Sequence, residues 1–388
     1  MSRPLHILML SHAADDPNGG ASRIYHMLAS ALRDRGHTVD LHHLDDFGLP
    51  RGTIAAKIAC RFALPHYVSR FGAGRDPGRY DVVMSSSGMA APLFKKLAAR
   101  KERPLLVNHL HGLAIYDHIA NTTENMLGHY PTRLAYRLVT GPFQAHWDLA
   151  GIRFADLNIV QNLRDLSWVR PRTREGAETR MIAASVHPDV LAASREAASP
   201  ESRRPDRLLW FASWESRKGS YYVPQAFRMI RERHPSAELT IGGAGRSEAD
   251  MRGHFDPQDQ GHVHVLPRLT IAEQASCFAN ASIFLFPSLS EGFGLALVEA
   301  MAFGLAAVTT NTAFGGDYLT DGRTARVVFP SSEHIARAVN ELIGSDATRH
   351  RIAEAGRTLA QGFTLERMVD AYEAAFFNVR KRIEATAG

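Results

Sequence analysis

The segment that most constrains this chain is Leu285–Gly304, LFPSLSEGFGLALVEAMAFG, in which a strand, a glycine-bearing turn and a helix follow one another directly. The apolar run Ile283–Phe286 ends at Pro287, as a strand buried on both faces does. A polar turn follows, then Glu-Gly-Phe-Gly-Leu, then a helical pattern with Leu295, Val298, Met301 and Ala302 on one side. Two carboxylates, Glu291 and Glu299, bracket the start of that helix with seven residues between them.

Two readings of these residues compete. Ser288 and Glu291 have capping-box spacing, so Glu291 would satisfy free helix N–H groups and Glu299 would be an ordinary exposed glutamate. Against this, Gly292 and Gly294 would then fall in the first helical turn, where each costs roughly 1 kcal/mol relative to alanine. Glycines between a strand and a helix instead suit a backbone pressed close to a ligand. The helix N-terminus then offers free N–H groups and a positive dipole end to an anion such as phosphate.

The stretch closely resembles the Glu-x7-Glu signature of retaining glycosyltransferases of the GT-B architecture, glycosyltransferase family four. That signature reads S-x-x-E-G-F-G-L-x-x-x-E-A-M-A-x-G, and every fixed position from Ser288 through Gly304 is filled here. The resemblance implies an α/β fold of two Rossmann-like doubly wound domains facing across a cleft, with a C-terminal helix crossing back to the first domain. It further implies that Glu291 holds hydroxyls of a donor sugar and that Phe293, Gly294 and Leu295, beside Gly292, lend backbone amides to sugar and phosphate. Glu299 would grip the ribose hydroxyls of the nucleotide.

At 388 residues, with 45% apolar content, the chain is long enough for two domains that each bury a core. Its two cysteines, Cys60 and Cys277, make neither a disulfide framework nor a zinc site, and a reducing, cytoplasmic compartment is expected. The N-terminus enters a strand without a signal-peptide region, and no apolar run approaches the ~20 residues of a membrane span. The net charge of +5 is uneven: residues 51–100 carry nine Lys/Arg against two Asp/Glu. Lys57, Arg61, Arg70, Arg75 and Arg79 interleave with Ile54, Ile58, Phe62 and Tyr67. The 51–79 stretch reads equally as a surface for an anionic membrane, on the inner face of the plasma membrane, or as a solvated helix face. No recognition motif or ordered aromatic platform supports nucleic-acid binding.

In chain order, the strand Leu5–Ser11 leads through Asp15-Asp16-Pro17-Asn18-Gly19-Gly20 into a helix from Ala21 to about Arg35, with Ile24, Leu28, Ala31 and Leu32 on its apolar face. Gly36 stops it and His37–Leu44 is the next strand, which together open a doubly wound sheet. The P-loop lysine signature and the full G-x-G-x-x-G are both absent. Gly19-Gly20 is a tight turn on one reading; on the resemblance, the Gly20 amide approaches the donor phosphate. Further strands read at Asp81–Ser85, Leu105–His109, Leu157–Gln161 and near Met181–Ala184. His111, ahead of Gly112 at the end of the Leu105–His109 strand, matches the family's cleft histidine, which hydrogen-bonds the donor sugar or supports charge at the reacting centre. His109 is its orienting neighbour or a core residue. Residues 113–154, rich in Tyr116, His118, His129, Tyr130, Tyr136, His146 and Trp147, are expected to include part of the acceptor side.

Residues 1–191 are expected to form the acceptor-binding domain, joined by 364–388. The polar, proline-bearing stretch 192–206 reads as the linker, and 207–363 as the donor-binding domain. In that second domain the resemblance assigns an arginine and a lysine to the loop after Leu208–Phe211. Lys218, ahead of Gly219, matches the lysine, whereas the arginine position is Ser213, with Arg217 as a candidate substitute. The resemblance also puts Gly242, at the end of the Ala237–Ile241 strand, and Arg268-Leu269, at the base pocket, among the donor-binding residues. Asp317 stands where glutamate is usual.

Sugar transfer needs a stabilised diphosphate leaving group. Asp15-Asp16 and Asp45-Asp46 read as solvated or capping residues rather than a metal-binding Asp-x-Asp cluster, so neither a divalent metal nor another cofactor is expected. Charge neutralisation falls to the Gly20, Gly294 and Leu295 amides and to Lys218. The resemblance therefore implies a metal-independent retaining glycosyltransferase acting on a glycan, glycolipid or small-molecule acceptor in surface-polysaccharide or glycoconjugate synthesis. A catalytically silent sugar-nucleotide-binding or scaffolding subunit is the alternative, favoured by Ser213.

Overall fold

The computed structural model describes residues 3–50, 52, 58, 62–197 and 202–387. The chain forms two compact units: Met1–Ile119 with Thr132–Ser185 and Leu365–Gly388, and Ala120–Pro131 with Val186–Thr364.

The first unit is built on a parallel sheet of β1 (His6–Leu10), β2 (Thr38–His42), β3 (Val82–Ser86), β4 (Leu105–His109), β5 (Leu157–Val160) and β6 (Glu178–Met181), in the order β2-β1-β3-β4-β5-β6. Parallel strands need crossover connections, supplied here by α1 (Gly20–Asp34), α2 (Leu64–Gly74), α3 (Ala91–Ala98), α4 (Ala114–Met126), α5 (Gly141–Phe154) and α6 (Leu163–Val169). The four inner strands β1, β3, β4 and β5 are buried almost throughout, which explains their largely apolar runs, whereas the edge strands β2 and β6 are partly exposed. The order reverses between β1 and β3, paired in the register Ile7↔Val82. Ligands of such sheets bind beyond the strand ends at that reversal.

The second unit repeats the plan with β7 (Arg207–Phe211), β8 (Glu238–Gly242), β9 (Val263–Val265), β10 (Ile283–Phe286), β11 (Ala306–Thr309) and β12 (Arg326–Val327), in the order β12-β11-β10-β7-β8-β9. Its helices are α7 (Pro188–Glu196), α8 (Tyr222–Arg233), α9 (Glu248–Arg252), α10 (Ile271–Ala279), α11 (Leu295–Ala302), α12 (Phe314–Asp317), α13 (Ser332–Gly344) and α14 (Asp346–Ala360). Its reversal point lies between β7 and β10, where Leu285 pairs with Trp210.

The last helix, α15 (Leu365–Ala387), belongs to the first unit. Met368, Val369, Tyr372 and Phe376 are buried in the same core as Ile7, Met9 and Leu28. Each such large side chain contributes about 1.5–3 kcal/mol of burial. Glu373 accepts from Arg35 and meets the His37 ring at 2.7 Å, and Asp370 pairs with Arg35 at 2.7 Å, so charge fixes the helix on α1 as well.

The expected domain limits move in two places. Residues 186–191, assigned to the first domain, belong to the second unit, and the linker's start is helical: α7 packs against α10 and α11. His187 caps α7 by accepting from the Asp189 N–H at 3.2 Å, a local signal hidden by the surrounding polar composition. Ala120–Pro131, read with the first domain, also belongs to the second unit. There the buried Glu124 accepts from the Tyr222 hydroxyl at 2.7 Å and faces His129 at 3.2 Å. Of the basic stretch, Lys57 and Arg61 lie outside the described residues, as do Cys60 and residues 198–201 of the linker. Arg70, Arg75 and Arg79 are exposed on or just after α2. Among the described residues no helix is long and apolar enough to cross a membrane.

Candidate functional site

In the second unit the two strands flanking the sheet reversal carry the two motif loops. After β7 the chain makes a single helical turn at Ser216–Lys218, ended by Gly219 at φ +70°. Only glycine fits there: a Cβ would stand 2.0 Å from the Pro287 carbonyl oxygen at the end of β10. The Arg217 carbonyl accepts from the backbone N–H groups of Leu289, at 2.7 Å, and Ser290, at 3.3 Å. Backbone bonds thus lock the lysine loop onto the glutamate loop.

This locking brings Lys218 Nζ to 2.5 Å from Glu291 Oε1, with the side chains 12% and 8% exposed. The Ser288 hydroxyl donates to the same oxygen at 2.8 Å. Burial pushes the Glu291 carboxyl up, but the charges of Lys218 and Arg217 and the bonds from Lys218 and Ser288 outweigh it and hold it below the usual range. Glu291 is therefore ionised at neutral pH, an acceptor for hydroxyl hydrogens and not an acid. Arg217 pairs with Glu215 at 3.1 Å and still adds a second positive charge to the surroundings of Glu291.

The capping-box reading fails, because α11 begins only at Leu295, with Gly294 as N-cap at φ +102°. Ser288 meets the Glu291 side chain instead. The exposed-glutamate reading fails too: Glu299 is 1% exposed in a helix whose residues 297–302 are all buried. Phe293 is buried against Phe314 and Phe363, and its carbonyl accepts from the Phe314 N–H at 3.1 Å. The hydroxyls of Thr310 and Thr312 both donate to the Ser288 carbonyl. These braces come from residues about 20 positions downstream in sequence, a long-range relation that spacing could not reveal.

The remaining donor-side candidates are placed as follows. Ser213 is half-buried in the lysine loop, its carbonyl accepting from the Glu215 N–H at 2.8 Å. Gly242 ends β8 where a Cβ would meet the Phe211 ring at 2.4 Å, so close packing of β7 and β8 by itself requires glycine there. Arg268 is exposed after β9; Leu269 is buried, its carbonyl accepting from Gln274 at 3.4 Å.

In the first unit, Gly19 is the N-cap of α1 and Gly20 its first residue. Asp16 shapes the approach, its carboxylate accepting from the Asn18 N–H and its carbonyl from the Gly19 N–H, both at 3.0 Å. These bonds shape the turn before α1, whose N-cap is Gly19 without a side-chain cap, so Asp16 does not cap the helix. A Cβ on Gly19 would stand 3.0 Å from the Asp16 carboxylate, while Gly20 faces open space. Gly112, at φ +111°, follows His111 at the end of β4.

His111 sits in a cluster of rings. It lies 4.1 Å from His109 and 5.5 Å from Tyr25, centroid to centroid, and neither of its ring nitrogens has a hydrogen-bond partner among the described residues. His109 is held by the Tyr372 hydroxyl of α15 at 3.1 Å and Gln161 at 3.4 Å, and His12 by the Ser86 hydroxyl at 2.6 Å. Burial lowers His12 to about 4. Burial and then His12 lower His109 to about 3; burial and both neighbours drive His111 well down. All three are neutral at pH 7. A neutral imidazole offers one ring N–H donor and one acceptor nitrogen and carries no charge. His109 is a buried core residue whose ring is tilted against that of His111, and its partner Tyr372, some 260 residues away, was not visible from sequence.

Residues 195–359 match the family model of glycosyl transferases group 1. Over 183 residues the chain is 31% identical to a D-inositol 3-phosphate glycosyltransferase of Paenarthrobacter aurescens, covering 45% of this chain and 44% of that one. The chain thus spans less than half the length of that relative. Over 378 residues it is 25% identical to a phosphatidyl-myo-inositol mannosyltransferase of Mycobacterium tuberculosis, covering 92% of each. A sucrose-phosphate synthase from Thermosynechococcus elongatus superposes with a TM-score of 0.74 at 17% identity, over 96% of this chain and 98% of that one. The fold is GT-B, with two Rossmann-like doubly wound sheets.

Proposed function

We propose, on the match of residues 195–359 to glycosyl transferases group 1, that this chain is a retaining glycosyltransferase that moves a sugar from a nucleotide-diphosphate donor to a hydroxyl of a glycan or glycolipid. The observation that carries this reading is the ionised, buried Glu291 held by Lys218 and Ser288 at the reversal point of the second sheet. A carboxylate so held accepts from sugar hydroxyls. Lys218, Arg217 and the N-terminus of α11 at Gly294–Leu295 supply positive charge for a departing diphosphate without a divalent metal. Arg217 takes the part of the cation missing at Ser213, and Glu299 holds the ribose.

In the transfer, the bond from the anomeric carbon to the phosphate oxygen breaks and a bond to the acceptor oxygen forms on the same face. The acceptor's proton passes to the departing phosphate, so no protein base is required. Lys218 and the α11 amides stabilise the charge that develops on the leaving group. Neutral His111, with both ring nitrogens open to a partner, hydrogen-bonds the sugar. The exposed Arg70, Arg75 and Arg79 suit an anionic membrane surface, so a lipid-linked acceptor and a role in surface glycoconjugate synthesis fit this reading.

The test is a thermal-shift panel of nucleotide sugars, followed by NMR assignment of the product anomer. One donor should stabilise the protein by mass action, and its product should keep the donor's anomeric configuration. Glu299→Ala should weaken nucleotide binding and Glu291→Ala should lower turnover. An inverted product would refute retention; unchanged kinetics in both variants would remove the motif from the mechanism. The silent-subunit reading predicts binding with no hydrolysis or transfer, and Ser213 is the observation in its favour.

A further inference from the structure

The loop after β1, helix α1 and the end of β2 bring together three side chains to which the transfer chemistry gives no part. Asp15 Oδ1 lies 2.8 Å from His26 Nε2 and 3.7 Å from His43 Nε2. The three ligand atoms all fall within 4.8 Å of one another, and among the described residues this is the one such convergence of His, Cys or acidic groups. The two imidazoles stack at 4.7 Å with their planes 20° apart. His26 is 32% exposed and Asp15 61%.

His43 is the informative member. Its side chain is only 4% exposed, and its buried Nε2 faces the Asp15 carboxylate at 3.7 Å with no hydrogen-bond partner among the described residues. Leaving such an atom unsatisfied is costly unless something occupies the space before it. The other side of the ring is supported: Nδ1 lies 3.4 Å from the buried Ser22 hydroxyl, and the ring bonds to the backbone of Ala13. A metal-ligating histidine needs this arrangement, because a partner on one nitrogen fixes the ring and presents the other's lone pair.

We propose that Asp15, His26 and His43 bind a first-row transition-metal dication, with zinc as its reference ion. Two imidazoles and a carboxylate favour zinc over magnesium or calcium, which prefer oxygen donors. Metal bonds of about 2.0–2.1 Å place tetrahedral ligand atoms about 3.3 Å apart. The observed separations of 2.8 and 3.7 Å straddle that value, so small rotations of the two more exposed side chains close the site. The fourth position stays open to water. The ion ties the β1–α1 loop to β2 four residues before Gly19, so it fixes the glycine turn and takes no part in a bond-making step. The proposal is independent of the transferase reading.

The experiment is competition titration of the metal-depleted full-length protein with zinc chloride against a chromophoric chelator, with circular dichroism as the fold control. Wild type should take up one equivalent tightly, undisturbed by millimolar magnesium. His43→Gln, Asp15→Asn and His26→Gln should each weaken that equivalent at least tenfold. Since His43 is buried and its variant can misfold, the partly exposed His26 gives the deciding substitution. An unchanged equivalent in folded His26→Gln would place the zinc on other histidines and overturn the proposal. So would the lack of any tight equivalent in wild type.

Discussion

Lys218→Met tests the energetic heart of the donor loop. At 2.5 Å and an effective dielectric of about 20, the pair with Glu291 has a gross attraction of about 6–7 kcal/mol. Desolvation of the two ions cancels much of this, but removing one partner strands the other charge. That costs about 3–5 kcal/mol. For a unit of this size the loss corresponds to a fall in Tm of about 6–20 °C, read by calorimetry at pH 7.5.

The pH dependence supplies the sharper criterion. In the wild type Glu291 sits below its ordinary value, so its stabilisation is present above that value and is lost as pH falls through the folded one. In Lys218→Met burial dominates and raises the carboxyl, so stability is lost as pH rises through the raised value. The Tm gap between the two proteins should be wide at pH 7.5 and narrow towards pH 4.5. The double variant Lys218→Met/Glu291→Gln, which removes the stranded charge, should recover most of the loss. A gap independent of pH, or a double variant as unstable as the single one, would refute the argument.

Other expectations follow from the same geometry. Glu299→Gln keeps the buried volume but removes the charge; it should weaken UDP or GDP binding at least tenfold by calorimetric titration, with Tm little changed. Gly219→Ala forces a Cβ to 2.0 Å from the Pro287 oxygen at φ +70°, where left-handed backbone costs a further ~1–2 kcal/mol. Donor-induced stabilisation in the thermal-shift assay should disappear. His12, His109 and His111 titrate lower folded than unfolded, so their contribution is complete above pH 6.5 and is lost as pH falls towards 4. Each adds a slope of about 1.4 kcal/mol per pH unit, and His109→Gln should make the acid limb of the urea-midpoint profile shallower.

Much of the fold was legible because parallel buried strands write themselves as unbroken apolar runs. Leu105–His109 and Ile283–Phe286 were read with their observed limits, and the Gly36 stop of α1 needed no tertiary information. The two-sheet GT-B fold was legible through the long motif at Ser288–Gly304. What escaped depends on distance along the chain. Ala120–Pro131 joins the second unit because Glu124 meets Tyr222, and no local pattern signals a partner nearly 100 residues away. The start of the expected linker was misread because the polar face of α7 imitates a linker's composition. Asp15 is exposed, as read, but the approach of His26 and His43 to it escaped because they lie on separate elements.

The most direct measurement is a crystal structure with a non-hydrolysable nucleotide-sugar bound. The account expects the diphosphate within about 3 Å of Lys218 Nζ and the backbone N–H groups at Gly294–Leu295, with a sugar hydroxyl on Glu291. A diphosphate bound away from residues 218 and 291–299 would contradict it.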